Sequence, residues 1–218
     1  MPAAAKRAER RIVDKRAAII EAAVRLFANR GFHGTTVPEI AGAAGVAVGS
    51  VYRYFDTKEA LVNAAIAERK QAMLDTLVAA DAEGGAMEAR FRRVWRALAA
   101  FALAHPDDFR FFEMHHHESY LDPASRACGD RLMTAAIAFF TEVAHAYRLA
   151  APAPEALVSI VWGALVGLVK GAEQGVLTLD PPLVEAAGLV LWHGVTAGAA
   201  LSSHPSSSLP LRPKRSSP

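Results

Sequence analysis

The stretch from Thr35 to Leu61, TTVPEIAGAAGVAVGSVYRYFDTKEAL, decides the fold that we predict for this chain. It holds two short helical segments joined at Gly45, with small alanines before the glycine and apolar valines after it. Small residues let two helices cross closely, and a glycine accommodates the tight turn between them. The layout predicts a helix-turn-helix, in which the second helix lies in the major groove of DNA.

Capping signals mark where the helices begin and end. Thr36 can cap the first short helix while Glu39 reaches back to it, which is a capping box. Thr57 is placed as the N-cap of the helix that follows the stretch. Upstream, apolar residues recur at helical spacing from about residue 14 to residue 30, and Gly31 is placed to end that helix.

Polar side chains near the start of the second helix can reach base edges or phosphates. The exposed candidates, with Val48 beside them, are Ser50, Tyr52, Arg53 and Tyr54. Lys58 opens the next helix, where its side chain and the free backbone N–H groups can hold a phosphate. The alternative is an ordinary helical hairpin with chance glycines, but no core-packing requirement explains the run Tyr-x-Tyr-Phe-x-x-Lys-Glu at residues 52–59.

Residue types and spacings over residues 14–61 resemble the N-terminal DNA-binding domain of the TetR family of bacterial regulators. The residues that carry the likeness are Ile40-Ala41-x-x-Ala44-Gly45-Val46-x-x-Gly49-Ser50-Val51-Tyr52-x-Tyr54-Phe55-x-x-Lys58-Glu59-x-Leu61. The resemblance implies an all-α chain of about nine helices. In it, a three-helix helix-turn-helix domain precedes a helical domain that binds a small molecule and dimerises.

The resemblance also implies a role for each matching position. Those assigned to phosphate are Thr36, Tyr54 and Lys58, and those assigned wholly or partly to bases are Ser50, Tyr52 and Arg53. Two positions depart from the family pattern. Ala47 stands where Ser or Thr commonly caps the recognition helix, and Val48, at a base-reading position, can only pack against a thymine methyl. Modest base specificity is therefore expected, supplemented by DNA shape or by a basic arm.

Charge divides the chain into unlike parts. The 218 residues carry a formal net charge of +2, but residues 1–61 carry +4, residues 62–201 carry −5 and residues 202–218 carry +3. We predict a basic disordered arm over residues 1–13, the DNA-binding domain over 14–61, the helical domain over 62–201 and a disordered Ser- and Pro-rich tail over 202–218. The arm either lies along DNA or only keeps the chain soluble.

The two most apolar stretches, residues 156–169 and 186–201, are shorter than the ~18 residues of a membrane span, so we predict buried helices and no membrane. Glycines recur every fourth residue from Gly163 to Gly175 and form a groove for another helix. The resemblance implies that the last two helices, about residues 155–175 and 183–201, build a homodimer. The alternative is that both are buried within one subunit.

Aromatic and soft side chains between the two ends can line a cavity for a small apolar or aromatic effector, although such residues more often form ordinary core. The predicted ligand-binding residues are Trp95, Phe112, His116, Met133 and Trp162. The run at residues 113–118 contains three histidines, with His105 upstream. Consecutive histidines point about 100° apart on a helix, so we favour a polar corner or a helix end over a zinc or nickel site.

Other function classes find little support in the sequence. A single cysteine, Cys128, excludes an internal disulfide and a Cys-rich zinc site. The chain has no GxSxG elbow, no phosphate-cradling glycine loop and no HExxH, so neither an enzyme nor a cofactor is predicted. It begins with charge rather than with an apolar signal, which predicts a cytoplasmic protein. We predict a repressor that binds a roughly palindromic double-stranded operator as a dimer and is released by ligand. The alternative is a ligand-independent regulator whose C-terminal domain only dimerises or binds a protein.

Overall fold

The computed structural model describes residues 3–114, 120–149 and 152–201, and this part of the chain folds into nine α-helices without a strand. The helices are α1 (Ala3–Arg30), α2 (Val37–Ala43), α3 (Val48–Tyr52), α4 (Lys58–Asp81), α5 (Met87–Ala104), α6 (Pro106–Met114), α7 (Pro123–Tyr147), α8 (Pro154–Glu173) and α9 (Pro181–Leu201). The all-α prediction of about nine helices is confirmed. The predicted tail and His116 lie outside the described residues.

Helix α1 begins at Ala3, so residues 3–13 belong to a helix and are not the disordered arm that the sequence predicted. The physical reason is composition, because after Pro2 the segment contains Ala, Lys, Arg and Glu without a glycine or a proline, and these are strong helix formers. The other end of α1 agrees with the prediction. Gly31 adopts φ 71° and its N–H donates to the carbonyl of Phe27 at 2.8 Å.

Helices α1 to α3 and the first half of α4 share one apolar core. Its largest fully buried members are Ile19, Ile20, Val24, Phe27, Ile40, Val51, Leu61 and Ile66. One further member comes from α6, since Phe111 is fully buried in the same core with its ring stacked 6.0 Å from that of Phe27. The N-terminal core is therefore closed by a residue from the helical domain.

A second core lies among α4, α5, α7, α8 and α9. Helix α7 packs between α4 and α8, and α9 packs along α5. Gly188 of α9 is the point of closest approach, because a Cβ built there would lie 2.7 Å from Cδ1 of Trp95. The Trp95 indole N–H donates to the carbonyl of Val184 at 2.7 Å, which fixes the ring under α9.

Each of the last two helices buries one face within the single chain and leaves another face exposed. Side chains on both are exposed, Ile160 by 50% and Val190 by 72%. A Cβ built at Gly163 or Gly167 would meet no described atom within 4 Å, so the glycine groove of α8 is open in the single chain. Helix α8 (Pro154–Glu173) agrees with the predicted residues 155–175. It extends beyond the apolar stretch 156–169, and its 20 residues are apolar enough to cross a membrane by length and composition alone.

Candidate functional site

The capping box at the start of α2 forms as predicted. The Glu39 carboxylate accepts the Thr36 backbone N–H at 2.8 Å, and the Thr36 hydroxyl accepts the Glu39 N–H at 3.5 Å. The Arg30 guanidinium donates to the second carboxylate oxygen of Glu39 at 2.9 Å. Hydrogen bonds from Thr36, with a smaller contribution from Arg30, lower the pKa of Glu39. Thr36 is thus an exposed residue held in a fixed position at the N-terminus of α2.

The turn between α2 and α3 is made by Gly45 in a left-handed conformation, φ 66°, which a side chain rarely adopts. Next to it, the Val46 N–H donates to the carbonyl of Ala41 at 3.0 Å. Helix α3 has five residues and, as predicted, Ala47 at its N-cap accepts no side-chain capping bond. Val51 is buried and anchors α3 on the core. The opposite side of α3 faces solvent.

That solvent-facing side carries the residues predicted to contact DNA. Val48 is 39% exposed, Tyr52 is 50% exposed and Arg53 is exposed as well, while Ser50 and Tyr54 are half-buried. Arg53 has no ion pair with a side chain in the described part of the chain. A free guanidinium and an aromatic phenol on one surface can donate to base edges and to phosphates.

The ammonium of Lys58, which was expected to be available to a phosphate, already has two partners within the chain. Its Nζ donates to the carbonyl of Phe32 at 2.9 Å and to that of Thr35 at 3.0 Å, and lies 4.1 Å from the centre of the Phe32 ring. An ammonium has three donors, so one N–H is left for a phosphate. Lys58 therefore also ties the first turn of α4 to the loop before α2. Its partners are 23 and 26 residues away, so no local pattern could have indicated them.

A cavity of about 570 Å³ lies between α4, α5, α7 and α8. This volume is within the ~300–1,000 Å³ of small-molecule sites. Four of the five predicted ligand residues line it, namely Trp95, Phe112, Met133 and Trp162. Other apolar lining residues are Met73, Leu74, Leu77, Phe91, Leu98, Leu132, Phe139, Phe140 and Val161.

The two tryptophans present ring surfaces rather than N–H groups to the cavity. The indole of Trp162 donates to Oε1 of Glu113 at 2.5 Å, and that of Trp95 donates to the backbone of α9. Glu113, the first residue of the histidine-rich run at 113–118, is therefore an acceptor for Trp162. Within the described ranges no group of three His, Cys, Asp or Glu could hold a metal ion.

Charged residues at the cavity wall were missed by the sequence reasoning. Asp81 pairs with the Arg90 guanidinium, 2.7 Å from Nη2 to Oδ2, and this hydrogen bond lowers the pKa of Asp81. Lys70 also lines the cavity, and burial lowers its pKa. Lys70 and Asp81 are single charged residues in a helix that contains many, so nothing in the sequence indicates that they line a cavity.

Known proteins resemble the chain along almost its whole described length. A model of bacterial regulatory proteins of the tetR family matches residues 19–65, and one of the tetracyclin repressor-like C-terminal domain matches residues 69–197. The chain belongs to the TetR family of transcriptional regulators. The boundary between the two models falls inside α4, which the DNA-binding and C-terminal domains of this TetR-family regulator therefore share.

Individual relatives agree with this assignment. The transcriptional repressor KstR2 of Rhodococcus jostii is 47% identical over 49 residues, which are 22% of this chain and 24% of that protein. The transcriptional regulator TtgR of Pseudomonas putida is 42% identical over 72 residues, 33% of this chain and 30% of that protein. These curated relatives are thus matched over less than a third of their length. A TetR-family regulator from Marinobacter aquaeolei has 25% identity and a TM-score of 0.73 over 84% of this chain and 96% of its own.

Helix α6 joins the two domains of the TetR-family chain. Phe111 is buried in the DNA-binding core, while the next residue, Phe112, lines the cavity and packs against both cores. Arg110 donates to the Asn29 side chain on α1 at 3.0 Å and to Glu173 on α8 at 2.9 Å. Consecutive residues of one helix therefore contact the cavity, α1 and α8.

Asn63 makes a second connection, from α4 to the segment between α6 and α7. Its side chain is buried, donates to the carbonyl of Tyr120 at 2.7 Å and accepts the Asp122 N–H at 2.9 Å. The Ser125 hydroxyl donates to the Asn63 carbonyl at 3.1 Å. The sequence reasoning missed this cluster, because its members are about sixty residues apart and each is a common polar residue.

Proposed function

We propose that this TetR-family regulator is a repressor that holds its operator as a homodimer and releases it when a small apolar effector enters the cavity. The observation that carries the proposal is the placement of α6. Phe112 stands at the cavity wall and Phe111 closes the DNA-binding core. An effector that displaces Phe112 must move Phe111 as well, because close-packed cores do not deform freely.

The DNA contacts that we propose follow the exposed surface around α3. Thr36, Tyr54 and the third donor of Lys58 would hold phosphates. Base contacts would come from Ser50, Tyr52 and Arg53, and Val48 would pack against a thymine methyl. Phosphate contacts orient a protein on DNA, whereas base contacts select the sequence. With one apolar and one small residue at the start of the recognition helix, we expect modest sequence selectivity.

We propose that the dimer forms through α8 and α9, about residues 155–175 and 183–201. Support comes from the exposed Ile160 and Val190 and from the unfilled groove at Gly163 and Gly167. Four helices, two from each subunit, would cover these apolar faces. A two-fold dimer presents two recognition helices about 34 Å apart to a roughly palindromic operator. A protein that acts on DNA in this way would reside in the cytoplasm of a bacterium.

Effector entry would change the separation of the two recognition helices. Helix α4 carries cavity residues in its second half and Asn63 in its first half, so a shift of α6 and the α6–α7 segment is transmitted to α4. A ligand shifts this equilibrium only by its difference in affinity for the two states. Tight binding without release would therefore mean that both states bind the ligand equally.

The experiment is a fluorescence-anisotropy titration of the purified chain against DNA from its own upstream region and against scrambled DNA of equal length. We expect tighter binding to the former, loss of that preference in Arg53→Ala, and weaker binding to both DNAs in Tyr54→Ala. The exposed control Arg131→Ala on α7 should leave both affinity and preference unchanged. Equal binding to both DNAs would contradict the regulator. Failure of apolar and aromatic compounds that bind the cavity to release the DNA would favour a ligand-independent regulator.

A further inference from the structure

Lys70 is the feature of the cavity that the proposed function leaves unexplained. It projects from α4 into the cavity wall, and its Nζ lies against Gly129 of α7, where a Cβ would come within 2.9 Å of the nitrogen. The absence of a side chain at Gly129 makes room for the ammonium. Within the described part of the chain, the Lys70 ammonium has neither a hydrogen bond nor an ion pair. Cys128 and, less strongly, Asp130 favour its charged form, but neither makes a hydrogen bond or an ion pair with it.

The other charged groups at the cavity wall already have partners. Asp81 pairs with Arg90, and Glu113 accepts the N–H of Trp162. The hydroxyl of Ser159 donates to the carbonyl of Glu155 at 3.0 Å. Three N–H donors of a half-buried ammonium therefore remain available to a ligand. Partial burial removes part of the hydration of this charge, so the structure favours a ligand that supplies a negative charge at this position.

The wall beside Lys70 is apolar in one direction. Along α4 it continues through Met73, Leu74 and Leu77 to Val78, before it reaches Asp81. Eight residues of helix separate Lys70 from Val78, which is about 12 Å at 1.5 Å per residue. The cavity thus has a cationic end at Lys70, an apolar middle, and a second polar end at the Asp81–Arg90 ion pair. An anionic amphiphile fits with its charge at Lys70 and its apolar body pointing toward Asp81.

We infer that the effector of this cavity is an apolar monocarboxylic acid, with its carboxylate on the Lys70 ammonium and its hydrocarbon body against Trp95, Phe112 and Trp162. A single negative charge is favoured because one cation and two carboxylates line the same space. A dianion would leave one charge buried without a partner. This inference rests on the cavity being the effector site of the proposed function, and it names the chemistry that the site selects.

Direct binding to the full chain without DNA tests the inference. Two acids, octanoate and 2-naphthoate, are each compared with the matching primary amide by isothermal titration calorimetry. A hydrogen bond to a charged partner contributes more than a neutral one, so we expect each acid to bind about 10- to 100-fold more tightly than its amide. Lys70→Met should remove this difference, whereas Lys70→Arg and the control Arg25→Met, an exposed position on α1 outside the cavity, should keep it.

Three results would overturn the inference: amides that bind as tightly as acids, an acid affinity unchanged in Lys70→Met, or no binding by either acid. Circular dichroism checks that each variant is folded, and Lys70→Gln replaces Lys70→Met if the latter does not fold. The proposed function is judged separately, by DNA release. If an acid binds through Lys70 but does not release the operator, the inferred ligand class is supported and the repressor mechanism is contradicted. If neutral compounds bind as tightly as the acids and release the operator, the repressor mechanism is supported and the inferred ligand class is contradicted.

Discussion

Replacing Asn63 by alanine tests how the C-terminal domain holds α4. The change removes the side-chain bonds to the Tyr120 carbonyl and the Asp122 N–H, at 2.7 and 2.9 Å, and leaves both groups without that partner. The third bond, to the Glu59 carbonyl, lies within α4. Its loss should contribute less to the change in stability, because that carbonyl also accepts a backbone hydrogen bond of the helix. At roughly 1 to 1.5 kcal/mol for each bond lost, we expect a loss of about 2 to 3 kcal/mol of unfolding free energy.

The assay is urea denaturation followed by circular dichroism, with Thr76→Ala on the same helix as the matched control. Thr76 is exposed, and its hydroxyl donates within α4, to the carbonyl of Ala72 at 2.8 Å. Exposed changes of this kind stay within about 0.5 kcal/mol. A loss in Asn63→Ala no larger than in Thr76→Ala would refute the energetic importance of these bonds.

Asn63→Ala should also weaken communication between the cavity and DNA. With α4 released from the α6–α7 segment, a cavity ligand should change operator affinity less than in the wild type, while operator affinity without ligand is kept. The measurement is the ratio of operator dissociation constants with and without a saturating ligand. An unchanged ratio in a folded Asn63→Ala chain would show that the coupling passes elsewhere.

Three further predictions concern packing, pH and assembly. Gly188→Ala should cost about 1 to 3 kcal/mol, because its Cβ would clash with a buried indole at 2.7 Å. The control Gly42→Ala on α2, outside the proposed dimer interface and with no described atom within 4 Å, should not destabilise the chain in the same thermal melt. Hydrogen bonds from Arg90 hold the pKa of Asp81 in the folded chain below its ordinary value of 3.8. The pair therefore stabilises the folded chain above pH 3.8, and this contribution is lost as the pH falls through the pKa of Asp81 in the folded chain. The stability difference between wild type and Asp81→Asn should therefore shrink on acidification, and a constant difference in urea midpoint would contradict the shift. Ile160→Glu should yield monomers in analytical ultracentrifugation, and an unchanged dimer would move the interface away from α8.

The sequence predicted the parts of the fold that local chemistry determines. The capping box of Thr36 and Glu39, the uncapped Ala47 and the turn at Gly45 all involve residues a few positions apart, and each has the predicted form. The prediction of a disordered arm before residue 14 was wrong, because it rested on charge alone although the segment has strong helix propensity.

Features that depend on distant residues could not be predicted. Lys58 binds carbonyls on a loop more than twenty residues earlier, so its geometry follows from how α4 meets α1. The aromatic residues of the cavity were recognisable by type, but Lys70 and Asp81 become cavity residues only through the packing of α4 on α7 and α5. The role of Phe111 is of the same kind, since its spacing on α6 predicts a buried residue without saying in which core.

The central claim is that occupancy of the cavity changes the spacing of the two recognition helices. Cys128 is the chain's single cysteine, so a Cys128→Ala, Ala43→Cys chain accepts one spin label per subunit, at an exposed residue of α2 that is not one of the proposed DNA contacts. Pulsed electron–electron double resonance then measures the distance between the two labels in the dimer. We expect this distance to shift when a cavity ligand that releases the operator is added. An unchanged distance with the same ligand bound and the operator released would contradict it.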